Sequence, residues 1–205
     1  MLPREITMQV APIILEDAYV KLLPMEHDHI KGLFKAGQHP KIWTWTTSPY
    51  CITQQNTTEW VETCLQNAEK GIQVPFVIID KASNTIVGST SYLNIMMEHK
   101  SIEIGYTFLT PKAQRSYINR RNKLLLLTHA FETLEMNRVA LQTHDMNENS
   151  RNAIMGIGAK FEGVQRNCRI QHDNSIRSSA FFSIIKPEWS EAKASLKNKI
   201  EAASL

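Results

Sequence analysis

The chain has 205 residues, 42% of them hydrophobic and 21% charged, and carries a formal net charge of +3. That is enough chain for one sizeable buried core, with the composition of an ordinary globular protein. The weak positive charge does not argue for a nucleic-acid surface, and no apolar run reaches the ~20 residues that cross a bilayer.

In chain order, Tyr19 to Leu23 alternates weakly and reads as a first strand. Pro24 opens a helical segment, Met25 to Ala36, with Ile30, Leu33 and Phe34 on one face. Trp43 to Tyr50 is an aromatic, threonine-rich loop. A second helix runs from about Thr58 to Lys70 and is closed by Gly71. Pro75 to Asp80 is almost wholly apolar, as a central strand should be, and Lys81 to Asn84 turns it into Thr85 to Leu93. Ser101 to Leu109 is another strand, and a helix follows over Ile118 to Leu134. Arg138 to His144 reads as a strand and Asn147 to Ile157 as a short helix capped by Gly158. Lys160 to Ile170 and Ser178 to Ile185 form a hairpin turned at His172 to Ser175, and Trp189 to Ala203 is a polar helix. The expected fold class is mixed α/β (α+β): a central, mostly antiparallel mixed sheet with helices on both faces. The whole chain, 1–205, is expected to form one domain, with a core of about 16–186 and the final helix over 189–203.

Cys51, Cys64 and Cys168 are widely spaced and odd in number, which points to a reducing, cytoplasmic setting rather than a disulfide framework. His27 and His29 flank Asp28 but lack further ligands at a metal-binding interval, so no metal site is expected. Met1 to Val20 contains acidic residues and Pro12 and is a poor signal peptide.

The densest chemical signal lies between Phe108 and Phe131. An apolar strand stops at Thr110-Pro111, a short basic loop follows, and a helix begins. Loop amides and a helix N-terminus hold anions, and arginines add charge, so the segment suggests a phosphate-bearing ligand. No GxxxxGK[ST] motif is present, which argues against a P-loop nucleotidase.

The order of elements, together with Gly88-x-Thr90, Ile102-Glu-Ile-Gly-Tyr106, Gln114-Arg-Ser-x-x-Asn119, Lys123 to Glu132, Asn147-x-x-Ser150 and Gly158 to Gly163, resembles the GNAT acetyltransferases. The likeness is to the branch containing ribosomal-protein alanine N-acetyltransferases, and it covers roughly Glu16 to Ile185. It implies a splayed sheet in which the strand of Ile102 to Leu109 parts from the strand of Arg138 to Thr143, with acetyl-CoA in the gap. It implies that Phe108, Leu109 and Thr110 pair with the pantetheine arm, and that Gln114, Arg115, Ser116, Tyr117, Ile118, Asn119 and Arg120 meet the pyrophosphate. It implies that Asn147 contacts the pantetheine arm and that Ser150 faces the sulfur, placed to protonate the departing thiolate. Tyr117 and Asn119 stand where the superfamily usually has glycines, and Arg120-Arg121 replaces the Thr-Glu common in the branch.

Acetyl transfer to an amine also needs a base. Glu103 is the candidate: alternation puts Glu103, Gly105 and Thr107 on one face and Ile102, Ile104, Tyr106 and Phe108 on the other. Trp43, Trp45 and Tyr50 lie where the family builds its acceptor site, and Tyr92 is a weaker candidate. The resemblance therefore implies an acyltransferase that moves an acetyl group directly from acetyl-CoA to a protein N-terminus or a small amine, without metal. The alternative is a catalytically inactive module of the same fold. The last hairpin and final helix offer a surface on which two chains could pair; neither nucleic acid nor a membrane is an expected partner.

Overall fold

The computed structural model describes residues 10–202. The part of the leader expectation that falls on residues 1–9, and Ala203 at the end of the expected final helix, lie outside the described residues. Among the described residues, no helix is long and apolar enough to cross a membrane.

Eight strands form one sheet: β1 (Leu15–Glu16), β2 (Val20–Pro24), β3 (Gln73–Asp80), β4 (Thr85–Met96), β5 (Ser101–Leu109), β6 (Arg138–His144), β7 (Lys160–Ile170) and β8 (Ile176–Ile185). Their spatial order is β1-β2-β3-β4-β5-β6-β8-β7. Every neighbouring pair is antiparallel except β5 and β6. The helices are α1 (Ile30–Ala36), α2 (Gln54–Glu69), α3 (Tyr117–Thr128), α4 (Glu148–Gly156) and α5 (Trp189–Ala202). The mixed, mostly antiparallel sheet and its helices are the architecture expected from sequence.

Several boundaries move for local reasons. The first helical segment opens as a 3-10 turn over His27–His29, where the His29 imidazole Nδ1 accepts from the Glu26 amide at 3.0 Å. Helix α2 starts four residues early, because Thr53 is its N-cap and takes the Asn56 amide at 3.0 Å. Helix α3 ends at Thr128 and continues as a π-helical turn over His129–Thr133.

Two apolar clusters lie on opposite faces of the sheet. The larger takes Val74, Phe76 and Ile78 of β3, Ile102 and Ile104 of β5, and Val139 and Leu141 of β6 under Ile118, Leu126, Leu127, Ile154, Leu196 and Ile200 of α3, α4 and α5. The second takes Val77 and Phe108 under Leu33 of α1 and Trp60, Val61 and Cys64 of α2. Strand β3 feeds both because its side chains alternate and both faces are covered.

Candidate active site between the parting strands β5 and β6

Strands β5 and β6 pair only from Ser101 opposite Arg138 to Glu103 opposite Ala140. Beyond that, β5 runs on to Leu109 and β6 to His144 without a ladder between them, so a gap opens.

A bulge shapes the β5 side of the gap. Gly105 faces Ser91 and Phe108 faces Ser89, so Tyr106 and Thr107 together oppose the single residue Thr90. Tyr106 has φ 46°, a conformation rarely adopted by a bulky residue. The expected alternation therefore fails past Gly105: Phe108 leaves the face of Ile102 and Ile104 and packs in the second cluster. Thr107 goes the other way, where its hydroxyl meets Thr90 Oγ1 at 2.8 Å and receives Lys123 Nζ at 2.8 Å. Beyond the bulge, β4 and β5 run so close that a Cβ on Gly88 would sit 2.0 Å from the Phe108 carbonyl oxygen. The Thr110 amide then bonds to the Val87 carbonyl at 2.8 Å.

At the far end of β5, the loop to α3 combines an exposed cation with the free amides of a helix start. Arg115 is exposed and left-handed (φ 58°), which turns successive amides toward one side. Ser116 is the N-cap: its hydroxyl accepts from the Ile118 amide at 3.2 Å and donates to the Ala113 carbonyl at 2.7 Å. The other first-turn amides of α3, those of Tyr117 and Asn119, have no earlier carbonyl within the helix. Gln114 turns inward, donating Nε2 to the Leu109 carbonyl at 3.0 Å. The Tyr117 hydroxyl donates to Asp80 at 2.6 Å, and that bond, followed by burial, pushes its pKa up to about 12.

The basic residues separate. Arg121 pairs with Asp17 at 2.8 Å and lies over the Tyr19 ring at 3.8 Å. Arg120 reaches the Lys199 carbonyl at 3.4 Å. Lys123 is 6% exposed, and burial takes its pKa down to about 7. Among the described residues, Arg115 and Lys112 are both exposed in this loop and neither makes an ion pair.

Glu103 sits at the point where the strands separate, 6% exposed. Its Oε2 accepts from Asn94 of β4 at 2.7 Å and its Oε1 from Gln142 of β6 at 2.8 Å. Sequence reasoning missed both amides, because their partner lies 9 and 39 residues away. Across the gap, Asn147 caps α4 by accepting the Ser150 amide at 3.1 Å. Ser150 is half-buried in the first turn of that helix.

The aromatic candidates divide. Trp45 packs on the His144 ring at 4.8 Å, and its carbonyl accepts from Arg177 of β8 at 3.1 Å, so it stands at the end of β6. Tyr50 contacts Tyr106 edge-on at 6.0 Å. Trp43 is buried, donates Nε1 to the Gly37 carbonyl at 2.8 Å, and lies 4.9 Å from the Phe108 ring. Tyr92 is also interior: it is fully buried and donates its hydroxyl to the Leu126 carbonyl at 2.6 Å, so it has no surface to offer an acceptor. His144 accepts the Met146 amide on Nδ1 at 3.1 Å, which holds the turn after β6.

Burial pushes the Cys51 and Cys64 thiols up to about 12, which leaves them poor nucleophiles. Among the described residues, no group of three or more His, Cys, Asp or Glu side chains could hold a metal ion.

Comparison with known proteins gives the same picture. A 109-residue stretch, 53% of this chain, is 30% identical to YdaF of Bacillus subtilis (strain 168), whose name describes a ribosomal N-acetyltransferase; the match spans 58% of that relative's length. A GCN5-related N-acetyltransferase from Brucella melitensis superposes with a TM-score of 0.86 at 25% identity, over 94% of this chain and 87% of that one. A structure from T. thermophilus named as an acetyltransferase superposes with a TM-score of 0.83 at 28% identity, over 94% and 99% of the two chains. The family model described as an acetyltransferase (GNAT) domain matches residues 20–160, and the chain belongs to that family.

Proposed function

We propose that the protein is an N-acetyltransferase that joins acetyl-CoA and a primary amine in one ternary complex. GNAT acetyltransferases use acetyl-CoA, and the residues around the gap suit it. The observation that carries the reading is the unpaired edge of β5 ending at an anion-facing helix start. An extended amide-bearing arm can add to an open strand edge, and a diphosphate suits first-turn amides beside Arg115. When bound, acetyl-CoA supplies an activated acyl group on a good leaving thiol.

The chain's own residues would do the rest. Phe108, Leu109 and Thr110 offer the backbone edge. Arg115, with the amides of Tyr117 and Asn119, holds the anionic end; Gln114 supports the loop by its bond to the Leu109 carbonyl. Glu103 takes a proton from the incoming ammonium, directly or through a water. Its two amide donors fix the carboxylate and leave a lone pair on each oxygen for that proton. Ser150, at the helix start across the gap, donates a hydrogen bond to the departing sulfur. Trp45 and Tyr50 border the acceptor side. The chemistry then depends mainly on proximity.

Calorimetric titration with acetyl-CoA, followed by thiol release with a panel of amines and N-terminal peptides, tests the reading. Binding together with turnover on one of them is the expected result. Absence of binding would exclude it, and binding without turnover would favour a catalytically inactive module of the same fold.

A further inference from the structure

A second cavity lies on the α1–α2 side of the sheet, with a volume of about 260 Å³. Tyr106 forms one wall, carried outward from β5 by the left-handed turn of the bulge. Tyr50 and Trp60 form the others, their rings 5.6 Å apart, with Tyr50 at 6.0 Å from Tyr106. Glu59 of α2 is the lining carboxylate, and among the described residues no lysine or arginine lines the cavity.

The polar lining mixes donors, among them the Asn56 amide and the Tyr106 hydroxyl, with the carboxylate of Glu59 as its one charged acceptor. Asn67 directs an amide proton to Gln73 Oε1 at 3.2 Å, and Gln73 in turn donates to Ser91 at 3.0 Å and Cys64 Sγ at 3.3 Å. These donors are committed to the protein. The Glu59 carboxylate, which takes one bond from Gln55 at 2.9 Å, has further acceptor capacity. Aromatic faces with a lining carboxylate suit a positively charged, hydrogen-donating group, with Arg169 and Arg177 the nearest cations, acting on Tyr106 and Tyr50 from outside the lining.

Size and place narrow the occupant. The volume is below the ~300–1,000 Å³ typical of whole-ligand pockets, so it suits one group of a larger molecule. Tyr106 is three residues along β5 from Glu103, so with Tyr106 in the bulge their backbones are at most about 10 Å apart. A reacting nitrogen at Glu103 and a second group in the cavity would therefore belong to one extended molecule.

We infer that this cavity receives a second positive charge on the acceptor, so that the preferred amines are dicationic: a peptide N-terminus followed by a lysine or arginine, or a linear diamine. The inference rests on the acetyl-transfer reading for the first site, while the cavity's own selectivity can be measured without turnover.

The test pairs acceptors of equal length. Alanyl-lysine amide is compared with alanyl-norleucine amide, and 1,5-diaminopentane with n-pentylamine. Binding to the full chain in the presence of coenzyme A is followed by calorimetry, and acetyl transfer is measured alongside. The charged member of at least one pair should bind about tenfold tighter, the effect of one charge-assisted hydrogen bond, and Glu59→Gln should reduce that ratio to about twofold. Glu59→Lys should reverse it, while an unchanged melting temperature shows that the exposed substitution leaves the fold intact. A preference confined to the dipeptides assigns a peptide N-terminus; one confined to the diamines assigns a small polyamine. Equal binding within both pairs, or a preference unmoved by Glu59→Gln, overturns the inference. Glu59-dependent binding without any transfer upholds the cavity and refutes the transfer reading instead.

Discussion

Gln142 on β6 donates its side-chain amide to Glu103 on β5 at 2.8 Å, reaching across the strands just past Ala140, the last residue of β6 still paired with β5. The pair therefore joins the two walls of the gap where the backbone no longer does. With Asn94 on the other carboxylate oxygen, Glu103 is held from both neighbouring strands.

Glu103→Gln should lower turnover by roughly a hundredfold, the usual cost of removing a general base, while acetyl-CoA affinity from calorimetry stays close to wild type. Gln142→Leu frees one carboxylate oxygen without removing the base, so its loss should be smaller, about tenfold. Steady-state kinetics on both variants decide this; wild-type turnover in Glu103→Gln removes the residue from the mechanism.

Arg115→Ala should raise the KM for acetyl-CoA by about tenfold, because an exposed guanidinium beside first-turn amides is the expected charge partner of a diphosphate. Arg121→Ala should change that KM far less, since its guanidinium is engaged with Asp17 and Tyr19. Equal effects would show that the anion sits elsewhere.

Lys123 makes stability depend on pH. Burial lowers its pKa from 10.5 to about 7, so between those values the unfolded chain holds a proton that the folded chain lacks. Stability from this residue therefore rises with pH across that window, and the burial penalty is largest below about 7. Urea midpoints of wild type relative to Lys123→Met should increase from about pH 6.5 to about pH 9. A constant difference would mean the amine is solvated.

Glu162 gives a dependence of the same sign in an acidic window. Its bond to Arg138, opposed by burial and aided by Ser183, takes the carboxyl down to about 2. Its contribution is present above its ordinary value of 4.5 and is lost as pH falls through about 2. Arg138→Met should make the acid unfolding transition begin at higher pH; because the pair is partly exposed, the displacement should be modest.

Much of this was legible in the sequence because periodicity and punctuation carry it. Strand β5 announces itself through Ile102 and Ile104, and the N-cap of α4 through Asn147 and Ser150. The bulge was not legible: Tyr106 and Thr107 favour strands, no glycine stands at the left-handed position, and only the pairing with β4 reveals the extra residue. Trp43 and Trp45 were indistinguishable for a similar reason. They lie in one aperiodic loop, and tertiary packing alone sends one ring to Phe108 and the other to His144. Tyr117 was visible as a departure from glycine, but its anchor Asp80 lies 37 residues away.

The two apolar clusters on opposite sides of the sheet divide the molecule's labour. The residues beneath the start of α3 belong to one, while α1, α2 and the aromatic loop are seated in the other. Phe108 is the β5 residue whose ring enters the second layer. On the proposed reading, exchanges among Leu33, Trp43, Trp60 and Val61 would remodel the amine-facing half while leaving the thioester-facing half standing, so that new acceptor preferences could be grafted onto an unchanged donor machine.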